Sequence, residues 1–177
     1  MTKIDKLYIN WNDVDHMVDD LINQMFADNW KPDYIVGITR GGLTPAIMMS
    51  HKTGIKMFTL DVRLRDGGPG IPTLESNTWM AQDAMAGKKI LLVDDINDTG
   101  ETIKWIKNDW QKSLIGTGDW HHERMWNNVK FAMLIENEAS EVSSDYNCKT
   151  VNKFEKDVWI VYPVSYTHLR AHETTPH

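Results

Sequence analysis

Residues 89–102, KILLVDDINDTGET, decide the fold because they join a predicted buried strand to a predicted helix through a cluster of acids. The apolar run ends at Val93 and is followed at once by Asp94 and Asp95, with Asp98 three residues later. Carboxylates this close repel one another and are costly to remove from water. The stretch therefore predicts a site for a cation, a polyhydroxyl ligand or a shared proton.

Strand and helix patterns alternate along the rest of the chain. The predicted helices cover residues 11–29 (capped by Asn12 or Asp13), 43–53 and 101–110, and the predicted strands cover 34–38, 56–64, 89–93, 129–136 and 159–161. This alternation predicts an α/β domain with a mostly parallel sheet flanked by helices. Residues 1–164 form the predicted domain, in which 111–128 is an insertion. Residues 165–177 are a non-core tail, either functional or a cloning artefact.

Composition narrows the class of protein. The chain has 177 residues, 41% of them hydrophobic, and a formal net charge of −6. An acidic balance argues against a broad nucleic-acid or acidic-membrane surface. The single cysteine fits a reducing compartment, and no apolar run approaches the roughly 20 residues that span a bilayer. With no signal peptide visible at the start, we expect a cytoplasmic protein.

The acidic stretch also predicts an anion site. Ligands bind at the carboxyl ends of parallel strands, where Asp94 and Asp95 are expected. The turn at residues 98–102 offers backbone N–H groups, two hydroxyls and the positive end of a helix dipole, which suit a phosphate. Acids beside a phosphate site fit a sugar phosphate. An ATPase would need a G-x-x-x-x-G-K-[ST] loop, which is absent, whereas a capped turn with solvated acids stays open.

VDDINDTGET resembles the signature of type I phosphoribosyltransferases, in which a hydrophobic strand, two acids and a short spacer precede D-T-G-x-T. Two further features resemble the same family: YIVGITRGGLTPA at residues 34–46 and DVWIVYP at residues 157–163. Their order is most similar to that of the xanthine-guanine and hypoxanthine phosphoribosyltransferases. The resemblance implies the type I phosphoribosyltransferase fold, with a flexible flap loop and a small C-terminal hood.

The resemblance also implies an activity. Enzymes of this family transfer the 5-phosphoribosyl group from phosphoribosyl pyrophosphate (PRPP) to a base nitrogen and release pyrophosphate. The chain is therefore expected to be a Mg²⁺-dependent salvage enzyme for guanine, xanthine or hypoxanthine, and a homodimer or homotetramer. Its partners would be PRPP and a nucleobase, with no nucleic acid and no membrane. The alternatives are a phosphoribosyltransferase for a different nucleobase and a PRPP-binding regulatory protein.

Individual residues receive roles from this resemblance. The turn after the acids would hold the 5-phosphate, and its members are Asp98, Thr99, Gly100, Glu101 and Thr102. Glu101 would act through its backbone, because its carboxylate repels an anion. The loop formed by Arg40, Gly41 and Gly42 would bind pyrophosphate, since glycines let the backbone approach an anion and a guanidinium binds it in a forked geometry.

The acids and Arg40 are the expected catalytic groups. Asp94 and Asp95 would bind the ribose hydroxyls and Mg²⁺. Asp98 would exchange a purine ring proton as general base or acid, and its alternative role is a helix N-cap. Arg40 would stabilise the leaving pyrophosphate, and its alternative is a surface arginine beside a helix start.

A flap is expected at residues 63–80, which contain the breaker DGGPGIP. By resemblance this loop closes over PRPP and excludes water, and Arg63 and Arg65 in it would add positive charge.

The base site is expected in the hood. Trp159 aligns with an aromatic residue that stacks on the purine, and the backbone near Ile160 would contact the base edge. The relatives' lysine for the purine 6-oxo group is missing, since its place falls at Glu136 or Asn137. Of these two only Asn137 can donate a hydrogen bond, which makes it the expected base contact and keeps a different base possible.

Overall fold

The computed structural model describes residues 5–62, 78–115, 122–155 and 158–165. The strands are β1 (Asp5–Tyr8), β2 (Tyr34–Thr39), β3 (Met57–Asp61), β4 (Ile90–Asn97), β5 (Val129–Asn137), β6 (Tyr146–Val151) and β7 (Val158–Val161). The α-helices are α1 (Trp11–Ala27), α2 (Leu43–Thr53), α3 (Thr78–Met85) and α4 (Glu101–Ser113), and the short 3-10 helices are His122–Asn128 and Pro163–Ser165. Within these ranges no helix is long and apolar enough to cross a membrane.

Five strands form one parallel sheet in the order β3-β2-β4-β5-β6. The chain leaves β2 toward one edge of this sheet and leaves β4 toward the other, so the strand order reverses between them. Open parallel sheets bind ligands in the crevice at such a reversal, outside the carboxyl ends of the strands. The predicted α/β class is therefore confirmed, and the fold directs attention to the loops after β2 and β4.

The core lies on both faces of this sheet. Successive side chains of a strand point to opposite faces, and on β4 Leu91 and Val93 pack with α1 and α2, whereas Ile90 and Leu92 pack with α3 and α4. All four side chains are fully buried. A strand buried on both faces is stable enough to hold polar residues at its end in fixed positions.

The predicted helices are confirmed with small changes at their ends. The cap of α1 is Asn10 rather than Asn12 or Asp13, because Asp13 occupies the third helical position and completes a capping box. The Asp13 N–H donates to Asn10 Oδ1 at 2.9 Å, and the Asn10 N–H donates to Asp13 Oδ2 at 2.8 Å. Helix α2 covers the predicted residues and ends at Gly54, whose φ of 71° is left-handed.

The strands differ more from the prediction. β4 continues through the acids to Asn97, because it stays paired with β5 up to the Asn97–Glu136 register. β3 is shorter than predicted, and α3 begins inside the stretch assigned to the flap, of which residues 63–77 lie outside the described residues. Strands β1 and β6 were not predicted, and β1 pairs in parallel with β7 to form a separate small sheet.

The described ends of the predicted insertion pack onto the core. Helix α4 extends to Ser113, and the 3-10 helix His122–Asn128 leads into β5. Trp110 is buried and stacks on Trp126, with ring centroids 5.9 Å apart and an interplanar angle of 15°. Residues 116–121 and most of the predicted tail, 166–177, lie outside the described part of the chain.

Candidate active site

Two neighbouring acids lie near the carboxyl end of β4. Burial raises the pKa of Asp94 well above its usual value, and the adjacent Asp95 charge raises it further. Burial also raises the pKa of Asp95. The Asp95 N–H donates to Asp94 Oδ1 at 2.9 Å, which only partly offsets the desolvation. A pair of this kind is stabilised when a cation or hydroxyl donors approach it.

The glycine loop after β2 lies directly against these acids. A Cβ atom on Gly41 would lie 2.4 Å from Asp95 Oδ1, and one on Gly42 would lie 2.0 Å from the Val93 carbonyl oxygen. Only glycine fits at such close approaches. The Thr39–Arg40 peptide is cis, and the Arg40 side chain is exposed at the start of this loop. Two motifs that are distant in the sequence therefore form one site.

The turn after β4 forms the third part of the site. Gly100 has a φ of 86° and begins α4, and a Cβ atom on it would meet Ser140 Oγ and Val142 N at 3.0 Å. The N-cap residue Gly100 makes no side-chain cap bond to α4, and the Glu101 N–H donates to Thr99 Oγ1 at 3.4 Å. The N-cap position is Gly100, so the N-cap alternative for Asp98 is wrong. Thr99 and Glu101 are exposed at this helix N-terminus, where the helix dipole favours an anion.

Asp98 has two partners from other segments. Its Oδ2 lies 3.0 Å from Lys153 Nζ, and its Oδ1 accepts from Asn137 Nδ2 at 3.3 Å. Asn137 Nδ2 also donates to the Asp98 carbonyl at 2.8 Å. Since these contacts come from the end of β5 and from the turn after β6, the position of Asp98 depends on three parts of the fold.

Glu136 and Asn137, the second of which was the expected base contact, are both buried. Asn137 Oδ1 accepts from the N–H groups of Ala139 and Lys153 at 3.2 and 3.1 Å, so its amide is occupied on both sides. Glu136 accepts from Ser144 Oγ at 2.6 Å and from Asn97 Nδ2 at 2.8 Å. The structure thus places Asn137 in a supporting position behind Asp98 rather than at an open surface.

The small sheet of β1 and β7 forms a hood that is attached to the site. The Tyr162 hydroxyl donates to the Asp95 carbonyl oxygen at 2.7 Å, and burial raises the pKa of Tyr162. Trp159 on β7 is 59% exposed, whereas Ile160 packs against the core. The Trp159 indole is the exposed side chain of a strand whose other side chains are half-buried or buried, so it is available for contact with a ligand.

Sequence reasoning missed Lys153 and Tyr162. Tyr162 lies inside the DVWIVYP segment, so its place in a recognised motif was a signal that could have identified it. Lys153 lies in a stretch without periodicity, and nothing in its sequence neighbourhood indicates the contact with Asp98.

Comparisons with known proteins agree with this geometry. The family model described as a phosphoribosyl transferase domain matches residues 10–170. The hypoxanthine-guanine phosphoribosyltransferase of Streptococcus pneumoniae is 30% identical over 148 residues, covering 78% of this chain and 74% of that protein. The xanthine phosphoribosyltransferase 1 of Saccharomyces cerevisiae is 22% identical, and the chain spans 64% of its length.

A solved structure extends the comparison. The purine phosphoribosyltransferase of Pyrococcus horikoshii superposes with a TM-score of 0.62 at 26% identity, covering 91% of this chain and 94% of that one. In this chain the parallel sheet brings an acid pair, a glycine loop and the turn before α4 together at the point where its strand order reverses. The chain belongs to the phosphoribosyltransferase family, as its sequence motifs predicted, and is an enzyme of that class.

Proposed function

We propose that the chain catalyses Mg²⁺-dependent transfer of the 5-phosphoribosyl group from PRPP to a purine base, with release of pyrophosphate. The expected acceptors are guanine, xanthine and hypoxanthine, as in nucleotide salvage. The observation that supports this most is the contact between the Gly41 backbone and the Asp95 carboxylate. It joins the loop suited to pyrophosphate and the acids suited to ribose in one crevice. The names of the relatives favour a purine acceptor.

The chain's own residues account for PRPP binding. The amides of the turn at 98–102 bind the 5-phosphate, together with the Thr99 and Thr102 hydroxyls. Asp94 and Asp95 accept hydrogen bonds from the ribose hydroxyls. As the bond from C1′ to the pyrophosphate oxygen breaks, negative charge grows on the leaving group, and Arg40 stabilises it from the glycine loop.

The acid pair also fits Mg²⁺. This ion binds through one or two carboxylates and completes its octahedron with water and substrate phosphates. Asp94 and Asp95 supply two such carboxylates. Burial raises the pKa of both, so a cation held beside them would favour their charged forms. In the described ranges no group of three or more His, Cys, Asp or Glu residues could hold a metal alone. When bound, Mg²⁺ supplies positive charge to the phosphates.

The base would lie between Asp98 and the hood. Asp98 accepts the purine ring proton as the base nitrogen attacks C1′. Trp159 stacks on the purine, an interaction that contributes about 1–3 kcal/mol, and the backbone near Ile160 contacts the base edge. The proposed stacking uses the exposed Trp159 indole on β7. The hydrogen bond from the Tyr162 hydroxyl to the Asp95 carbonyl oxygen holds the hood next to the end of β4.

Pyrophosphate release with Mg²⁺ and PRPP, measured against a panel of bases, tests the proposal. The panel contains guanine, xanthine, hypoxanthine, adenine, uracil and orotate. We expect turnover with the 6-oxopurines and none without Mg²⁺. Turnover only with adenine or a pyrimidine would contradict the proposed acceptor. If PRPP binds but no base in the panel supports pyrophosphate release, the result would contradict the proposed enzymatic activity and favour a PRPP-binding regulatory protein.

A further inference from the structure

Lys153 contacts the catalytic region although it belongs to none of the recognised motifs. Its Nζ lies 3.0 Å from Asp98 Oδ2, and the two side chains are 21% and 35% exposed. Lys153 follows β6 in the chain, whereas Asp98 follows β4. The fold therefore brings a cation from a distant segment to the residue proposed to face the base.

The placement of Lys153 is fixed by its surroundings. Its backbone N–H donates to Asn137 Oδ1 at 3.1 Å. The turn that contains it is closed by Asn152 Oδ1, which accepts from the N–H groups of Phe154 and Glu155 at 3.1 and 3.2 Å. Asn137 thus lies where the relatives' lysine would fall in the sequence, and it holds in place the turn that contains Lys153.

We propose that Lys153 is the specificity-determining residue of the base site, where its ammonium donates to the 6-oxo group of the purine while paired with Asp98. This inference rests on the proposed function and deepens it. The Lys153 ammonium selects 6-oxopurines over 6-aminopurines. Lys153, from the turn after β6, takes the role of the lysine that is missing at residue 137.

The chemistry of an ammonium group explains the preference. Lysine has three N–H donors and no acceptor. Among the described residues Asp98 is the one acceptor in contact with Nζ, so donors remain for a ligand. A 6-oxo oxygen accepts one of them. A 6-amino group would place its own N–H donors against the ammonium donors that Asp98 does not accept, so those donors would lack an acceptor, which is unfavourable.

A purely structural ion pair predicts a different outcome. An ion pair between partly exposed side chains adds little to stability. Replacing Lys153 would then leave the choice of base unchanged. The ratio of activities with two bases therefore separates the two roles, because a general loss of folded protein lowers both activities equally.

The test compares kcat/KM for hypoxanthine and for adenine, which differ at position 6, in the wild type and in Lys153→Met. Where adenine turnover is too slow, the inhibition constants of the two bases replace it. We expect the hypoxanthine-to-adenine ratio to fall by about 10²-fold, since a site built to hydrogen-bond a group discriminates strongly against its absence. PRPP affinity should remain within about threefold, because Lys153 contacts the Asp98 carboxylate and not the turn amides and hydroxyls proposed to bind the 5-phosphate.

Two variants and one control complete the test. Lys153→Arg should retain most of the preference, because it keeps a donor-only cation. Lys153→Gln, which is neutral, should lose it and serves if the methionine variant does not fold. Lys149→Met replaces an exposed lysine on β6 and should change nothing. A folded Lys153→Met or Lys153→Gln with the wild-type ratio would overturn this inference alone, whereas a wild type inactive with every purine would overturn the proposed function with it.

Discussion

Asp98→Asn is expected to lower kcat by about 10²–10⁴-fold, the usual contribution of general acid–base catalysis. Asparagine keeps the shape of the side chain and can still accept a hydrogen bond from Lys153 Nζ, which lies 3.0 Å from Asp98 Oδ2 in the native site. It is unable to take up the purine ring proton. The KM for PRPP should change little, because the phosphate binds to the amides of the same turn rather than to the carboxylate.

Steady-state pyrophosphate release with a saturating 6-oxopurine measures this effect. Glu138→Gln is the matched control, since Glu138 is an exposed acid on the connection that follows β5. It should keep the wild-type kcat. If Asp98→Asn retains more than about a tenth of the wild-type kcat, Asp98 is not the proton acceptor, because loss of a general base lowers the rate by more.

Gly42→Ala is expected to have the largest effect on stability. Its methyl group would lie 2.0 Å from the Val93 carbonyl oxygen and 2.8 and 2.9 Å from the Ile38 carbonyl oxygen and amide nitrogen. All three atoms belong to the backbone of paired strands, so no side chain can rotate away. Overpacking of this kind costs 1–3 kcal/mol or more, and we expect about 3 kcal/mol or above. For a domain of this size Tm should fall by roughly 6–12 °C.

Urea unfolding followed by circular dichroism measures the change in the free energy of unfolding. Gly87→Ala is the control for the steric effect, because a Cβ atom at Gly87 would meet nothing within 4 Å, although Gly87 has a positive φ of 93° and Gly42 has a φ of −74°. Its destabilisation should be about 1 kcal/mol, the strain of the left-handed conformation alone. Equal losses in the two variants would show that the β2 loop does not press on β4 as the structure describes.

The sequence predicted the central strand and its acids because both follow from local chemistry. An apolar run that ends in carboxylates indicates a buried strand with a polar end, and Gly100 followed by a helical pattern indicates the turn. The predicted strand ended before Asp94 and Asp95, whereas β4 continues through both acids to Asn97. That extension is imposed by pairing with β5, and pairing between distant segments is not visible in one strand's sequence.

The contacts around Asp98 were harder to predict for the same reason. Lys153 is 16 residues from Asn137 in the chain, and β6, which brings it back to the site, has a mixed pattern with exposed positions. Strand β1 was missed because it is short and mostly exposed, and its pairing partner β7 lies near the other end of the chain. The motifs thus predict the part of the site formed by the glycine loop and the acids of β4, whereas the contacts around Asp98 depend on tertiary structure.

Calorimetric titration of Gly41→Ala with PRPP in the presence of Mg²⁺ tests the central claim that the glycine loop and the acid pair form one site. The added methyl would lie 2.4–2.6 Å from the Asp95 carboxyl atoms, so the carboxylate must rotate away from its position. We predict a PRPP affinity about 10²-fold weaker than that of the wild type, since a displaced binding group has a large effect on ligand geometry. The free energy of unfolding should be close to that of Gly87→Ala. Wild-type affinity in a folded Gly41→Ala variant would contradict the account.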